Sequence, residues 1–199
     1  MDQQIPQPIH PSEWPPVLSN IIEDMHGDPI NVHRLMANNP ALLEAWWPFR
    51  NHSVLGGTLG QRNAELLILR LSVHMECWYE WGSHVDRATK IGIERNEILG
   101  LLKPDLDQQW PEGERVLILS VDELMTRKYL GTETRTLLEE HFDTNQIMDL
   151  IAIHGMYMIL AAMLKTWDLS LDSKALESIF DITSEVDFLR SAELFNMQS

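Results

Sequence analysis

The chain has 199 residues, 44% of them hydrophobic, and a formal charge of −15 from 30 acidic and 15 basic residues. That length fits one domain with extensions, at ~150 residues per domain, and the charge argues against unaided binding to nucleic acid or to an anionic membrane. A single cysteine, Cys77, excludes an intramolecular disulfide framework, and eight histidines without a C-x-x-C or H-E-x-x-H give no recognisable metal site.

The opening MDQQIPQPIHPSEWPP has neither a basic start nor an apolar stretch, so it does not read as a signal peptide, and a cytoplasmic location is expected. Its five prolines disfavour helix, so this arm is expected to be extended or to wrap a neighbour. Short helices are expected from Val17 to Met25 and from Asn31 to Asn38, the second capped by Asn31 and stopped before Pro40. The next, Pro40 to His52, begins on proline and carries Trp46 and Trp47, which cannot share one face. One of the two is expected to meet a partner subunit or roof a pocket, unless the core stripe is wide.

Gly56 and Gly57 break the pattern, and Thr58 to Gln61 has the form of a capping box opening a leucine-rich helix. Glu65 is the polar outlier in it, and a carboxylate among leucines ordinarily sits on the solvated side. A helix restarting near Glu76 and ending at Gly92 places Cys77 in a first turn, where backbone donors and the helix dipole favour a thiolate. Glu80 and His84 follow at i+3 and i+7, so one face carries a thiol, a carboxylate and an imidazole.

Further helices are expected over Glu94 to Leu102, Glu114 to Tyr129 and Glu133 to His141, with a polar loop over Asp105 to Gly113. Asp143 to Gln146 resembles a second capping box, opening a long helix to about Trp167 with four methionines. Its apolar run, Leu150 to Leu164, is shorter than the ~20 residues of a spanning helix and contains His154, so it reads as a buried core helix. His74 and His154 are expected to be satisfied core histidines. The acidic tail suggests one docking helix. Strand signals are nearly absent, so the chain is all-α with seven to nine helices.

The spacing E-x11-C-x-x-E-x-x-x-H, with the downstream HFDTNQIMDLIAIHGMYMILA, resembles the carboxymuconolactone decarboxylase family, which includes the alkylhydroperoxidase D proteins. The resemblance implies a multi-helix alkylhydroperoxidase D-like domain over residues 39–169, preceded by a Pro-rich arm with short helices (1–38) and followed by a helical tail (170–199). It also implies a homo-oligomer, a trimer or hexamer, with sites near subunit contacts. In the peroxidase branch a glutamate, a C-x-x-C pair and a histidine relay protons to the thiols. Glu65, Cys77 and His84 match, but Glu80 stands at the second cysteine, so Cys77 has no resolving partner in this chain. The decarboxylase branch relays through carboxylate and imidazole, which Glu80 and His84 satisfy.

The expected chemistry is therefore proton transfer without a cofactor: decarboxylation or isomerisation of a small organic acid or lactone. Histidine titrates near neutral pH and a partly buried glutamate can be raised towards it. His84 is expected as general acid and base, Glu80 as its orienting partner, Cys77 as a proton relay or latent nucleophile and Glu65 as a supporting carboxylate. Trp78, Trp81 and Tyr157 are candidate pocket walls. The alternatives are a hydroperoxidase acting through Cys77 with an external thiol, and a non-catalytic binding or assembly protein on the same fold.

Overall fold

The computed structural model describes residues 5–106 and 110–197. Among these residues it contains eleven α-helices and no strand. In chain order they are α1 (Ser19–Asp24), α2 (Asn31–Met36), α3 (Pro40–Val54), α4 (Gln61–His74), α5 (Trp78–Lys90), α6 (Arg95–Gly100), α7 (Glu112–Arg127), α8 (Thr132–Glu139), α9 (Thr144–Thr166), α10 (Ser173–Ile179) and α11 (Glu185–Asn196). The all-α reading holds, and the larger helix number comes partly from the tail, which folds as two helices rather than one. Asp172 and Ser184 precede their starts, and Ser184 accepts from the Asp187 N–H as a true cap.

The centre is α4. Every residue from Ala64 to Val73 is buried, because α5, α7, α9 and α11 all pack around it. A helix apolar on all sides is stable only when surrounded in this way. Its one buried cation, Arg70, is fully enclosed: the guanidinium donates to both Asp122 oxygens at 2.7 and 2.8 Å and to the Leu101 and Lys103 carbonyls at 2.8 and 2.7 Å. His74 joins through a 2.7 Å contact between Nε2 and Asp122, as a satisfied core histidine should. His154 differs. It is buried with Nε2 unpartnered, and burial pushes its pKa down to about 4, which keeps the ring neutral.

The capping box at Asp143 and Gln146 is present, each side chain accepting from or reaching the other's backbone at 2.9 Å. The one expected at Thr58 is not. Gly60, at φ 86°, precedes α4, and Thr58 instead donates its backbone N–H and hydroxyl to Asp149 at 2.6 and 2.8 Å. Nor does Asn31 cap α2: Ile30 precedes that helix, and the Asn31 N–H goes to Asp172.

The proline arm lies on its own chain. The Ile9 N–H bonds the Arg34 carbonyl, Asn38 donates to the Gln7 carbonyl, and the Trp14 indole donates back to the Ile9 carbonyl. Trp46 and Trp47 are both buried within the chain, Trp47 donating to Asp24 at 2.6 Å, so a wide core stripe accounts for the pair. Helix α9 is long and apolar enough by composition to cross a membrane, with half of its apolar window buried in the fold. Of the polar loop expected over Asp105–Gly113, residues 107–109 lie outside the described residues.

Candidate active site

Helices α4 and α5 form a hairpin around a tight break. Glu76 sits at φ 49°, a left-handed conformation costly for a residue with a Cβ. Asn196 of α11 holds it, donating to the Glu76 carboxylate and to the His74 carbonyl. Cys77 then takes an extended conformation immediately before α5, without a side-chain capping bond. The break turns α5 back along α4 and brings their side chains together.

Across that hairpin, His84 Nδ1 and Glu65 Oε2 lie 2.6 Å apart, and both side chains are buried. Glu65 is therefore not on the solvated side. It also takes the place expected of Glu80 as the orienting partner of His84. An ionised carboxylate only accepts, so with Glu65 charged the proton of this contact belongs to Nδ1 and Nε2 is left with a free lone pair. The ring edge also meets Tyr157 of α9, centroids 4.9 Å apart at 85°.

His84 opens onto a cavity of about 460 Å³ bounded by α2, α3, α5, α9 and the start of α10. Glu80, one turn before His84, also belongs to its wall. Neither Glu80 oxygen has a hydrogen-bond partner, and burial pushes this carboxyl well above the ordinary carboxylate range, which favours the neutral acid. Tyr157 lines the cavity. Tyr79 fixes one side of it, its hydroxyl bonding Asp172 and accepting from the Val32 N–H at 3.1 Å.

Cys77 is placed differently from the thiolate expectation. It is buried and does not line the cavity. Burial pushes its pKa up to about 12, and the backbone amides of Glu80 and Tyr79 only partly oppose it. Trp78 and Trp81 are not cavity walls either. Trp81 is fully buried and stacks on Phe188 of α11 at 5.1 Å, and Trp78 meets the same ring at 5.7 Å. Both tryptophans anchor the tail to the hairpin.

Among the cavity residues with no counterpart in the sequence reading are His33, Arg50 and Arg87. Arg87 lies one turn beyond His84 on the same face, a spacing that could have marked it. Arg50 and His33 come from other helices and carry no local signal. Among the described residues no three His, Cys, Asp or Glu side chains are gathered as a metal ion would need.

The helical arrangement around this site defines an alkylhydroperoxidase D-like fold. The chain is similar to a cysteine-to-alanine variant of the debrominase Bmp8 in complex with 2,3,4-tribromopyrrole, with a TM-score of 0.71 and 17% identity over 92% of this chain and 99% of that one. It is similar, with the same TM-score of 0.71, to an uncharacterised peroxidase-related protein from Silicibacter sp. TM1040 at 15% identity, over 88% of this chain and 96% of that one. The alkylhydroperoxidase AhpD core of an uncharacterised peroxidase-related protein from Ralstonia eutropha JMP134 also aligns with a TM-score of 0.71, at 17% identity over 87% of this chain and 95% of that one. Residues 40–109, which contain Glu65, Cys77, Glu80 and His84, match the carboxymuconolactone decarboxylase family. No curated protein sequence matches the chain.

Proposed function

We propose that the protein is a cofactor-independent acid/base enzyme that decarboxylates or isomerises a small organic acid or lactone. His84 exchanges the proton through Nε2, Glu65 orients it, and Glu80 supplies a carboxyl held in its protonated form. In a decarboxylation the bond to the carboxyl carbon breaks, carbon dioxide leaves, and the electron pair remains as a dienolate; His84, having first taken a proton from water at Nε2, gives that proton to the carbon and returns to the neutral ring. In an isomerisation Nε2 removes a proton from one carbon and returns it to another. The observation that carries this reading is the His84–Glu65 pair at the cavity wall, with the thiol of Cys77 buried away from it.

The test is turnover of a panel of small lactones and keto acids by His84→Ala, Glu80→Gln and Cys77→Ser. The first two lose turnover and the serine variant keeps it. A dead serine variant beside two active ones would overturn the assignment.

A second reading, a thiol-dependent hydroperoxidase using Cys77 and an external resolving thiol, draws on the peroxidase-related structural neighbours. Burial of Cys77 weighs against it. We place the enzyme in the cytoplasm as a homo-oligomer. Met148, Ile151 and Ile159 are exposed along α9, and the one charge between Asp143 and Lys165, Asp149, is buried. Two copies of a strongly acidic chain can meet there without opposing charges. A single-chain mass by light scattering at micromolar concentration would refute this.

A further inference from the structure

The wall of the His84 cavity is cationic in a chain that is otherwise strongly acidic. Five of the fifteen Lys and Arg residues line it. The carboxylates facing them are already matched. Asp28 is held by Arg34 at 2.9 Å and by Lys174 at 2.8 Å, and Asp86 by Lys90 at 2.6 Å. Asp172 accepts from the Tyr79 hydroxyl and from the Asn31 N–H. Glu80, enclosed and without a hydrogen bond, favours the neutral acid.

Two guanidiniums are left over. Among the described residues, no carboxylate lies within 4 Å of Arg50 or Arg87. Arg50 donates to Asn51 Oδ1 at 2.9 Å and stands 4.8 Å above the Trp47 ring. The Arg87 side chain has no hydrogen bond among the described residues. They come from α3 and α5 and line the same cavity; burial first, and then the nearby Arg87 guanidinium, lower the Arg50 pKa, while Tyr157 and Asp24 oppose that shift. His33 lies between the same influences. Burial and the two guanidiniums hold its pKa at about 3, so its ring stays neutral, and Nδ1 has no partner.

Resting on the acid/base reading of His84, we propose that Arg50 and Arg87 form a carboxylate-binding subsite, so that the substrate is a small organic acid bound as its anion with its reacting carbon towards His84. Guanidinium groups are suited to this because their planar donors match a carboxylate and they are more weakly hydrated than ammonium groups. Without an anion, two cations with no carboxylate in ion-pair contact repel one another beside a partly enclosed cavity. A carboxylate between them removes that repulsion and gives both sets of N–H donors an acceptor. His33, neutral and one face of the same wall, offers a ring nitrogen to a hydroxyl or a second oxygen. The cavity volume lies at the small end of ligand pockets, ~300–1,000 Å³, which favours a single ring or a short unsaturated chain over a larger substrate.

The experiment measures binding rather than turnover. Benzoate, 2-furoate and crotonate are titrated against their amides, by calorimetry at neutral pH, into the wild type, Arg50→Gln, Arg87→Gln, Arg50→Lys and His84→Gln. At least one acid is expected to bind tenfold or more tighter than its amide, with an affinity that falls as sodium chloride is raised. Each glutamine variant loses about tenfold for the acid and little for the amide. Arg50→Lys keeps part of the affinity while preserving the packing on Trp47, and His84→Gln keeps most of it. Thermal melts confirm that the variants are folded, and Arg87, half-exposed and unpaired, is the position least able to disturb the fold. Equal affinity for acid and amide, no binding of any of the three acids, or unchanged affinity in folded Arg87→Gln would overturn the subsite. If the acids bind as expected but none of a wider panel is turned over, the acid/base reading fails and the subsite stands. Turnover of neutral lactones with no preference for anions has the opposite meaning.

Discussion

Glu65 on α4 and His84 on α5 are joined by a 2.6 Å hydrogen bond although they stand 19 positions apart. The bond fixes which imidazole nitrogen faces the cavity, because an ionised carboxylate at Nδ1 makes Nδ1–H the favoured tautomer. Glu65→Gln keeps the shape and removes that preference. Nitrogen chemical shifts of His84 are expected to report Nδ1–H in the wild type and a mixture of tautomers in the variant. Turnover falls by ~10²–10⁴, the range a positioned acid/base group contributes, with a smaller change in KM. An unchanged tautomer and an unchanged rate in Glu65→Gln would remove Glu65 from the relay.

Cys77 is expected to be inert at neutral pH. With its pKa pushed up to about 12, about 10⁻⁴ of the thiol is thiolate at pH 8, and the thiolate is the reactive form. Iodoacetamide should label it slowly in the native protein and rapidly in urea. Hydrogen peroxide at micromolar levels should leave it reduced. Fast native oxidation to the sulfenic acid would instead favour the hydroperoxidase reading.

Features whose partners are local in the sequence were legible in it, and features decided by distant residues were not. The Asp143–Gln146 capping box could be read because donor and acceptor are three residues apart. The same pattern at Thr58 failed because Asp149, 91 positions away, takes the Thr58 N–H and hydroxyl. The four residues of the E-x11-C-x-x-E-x-x-x-H spacing marked the hairpin correctly, yet their pairing did not follow from i,i+4 proximity. Glu80 is enclosed without a hydrogen bond, while Glu65 reaches His84 across the hairpin. The tryptophans at positions 78 and 81 look like pocket walls until α11 is present, since Phe188 is the ring they pack on. His33 and Arg50 belong to helices that meet the site only in the folded chain.

Glu80 should make stability fall towards alkaline pH. Its folded-state pKa is raised above the ordinary carboxylate value by burial, so the folded protein holds this proton more tightly than the unfolded chain does. The favourable contribution is complete below the unfolded pKa of ~4.3 and is lost as pH rises through the folded value. Glu80→Gln keeps a neutral polar group and removes the titration. The expected outcome is a melting temperature that declines less between pH 5 and pH 9 in the variant than in the wild type. A protonated-carboxyl stretch in the infrared spectrum at neutral pH should disappear in the same variant. Parallel melting curves would mean that Glu80 is ionised in the folded state.

Asp122 tests the enclosed cation beneath the hairpin. Burial alone would raise the Asp122 pKa, but the bonds from Arg70 and His74 outweigh it and hold the carboxyl below its ordinary value. A depressed pKa contributes stability that is present above the unfolded value and lost as pH falls through the folded one. Asp122→Asn leaves the fully buried Arg70 guanidinium without its counter-charge, although the Leu101 and Lys103 carbonyls remain as acceptors. Removing one partner of a buried ion pair costs ~3–5 kcal/mol, and the Asp122 side chain, 24% exposed, places this pair at the lower end of that range. Urea denaturation at pH 7 is expected to show a loss of about 3 kcal/mol, shrinking as the pH is lowered towards 3 because the wild type then loses the same charge by protonation. The α4–α5 hairpin hangs on this network through His74, whose carbonyl and ring hold Asn196 and Asp122. A loss that stayed constant from pH 7 to pH 3 would show that the asparagine disturbs packing rather than removing a charge.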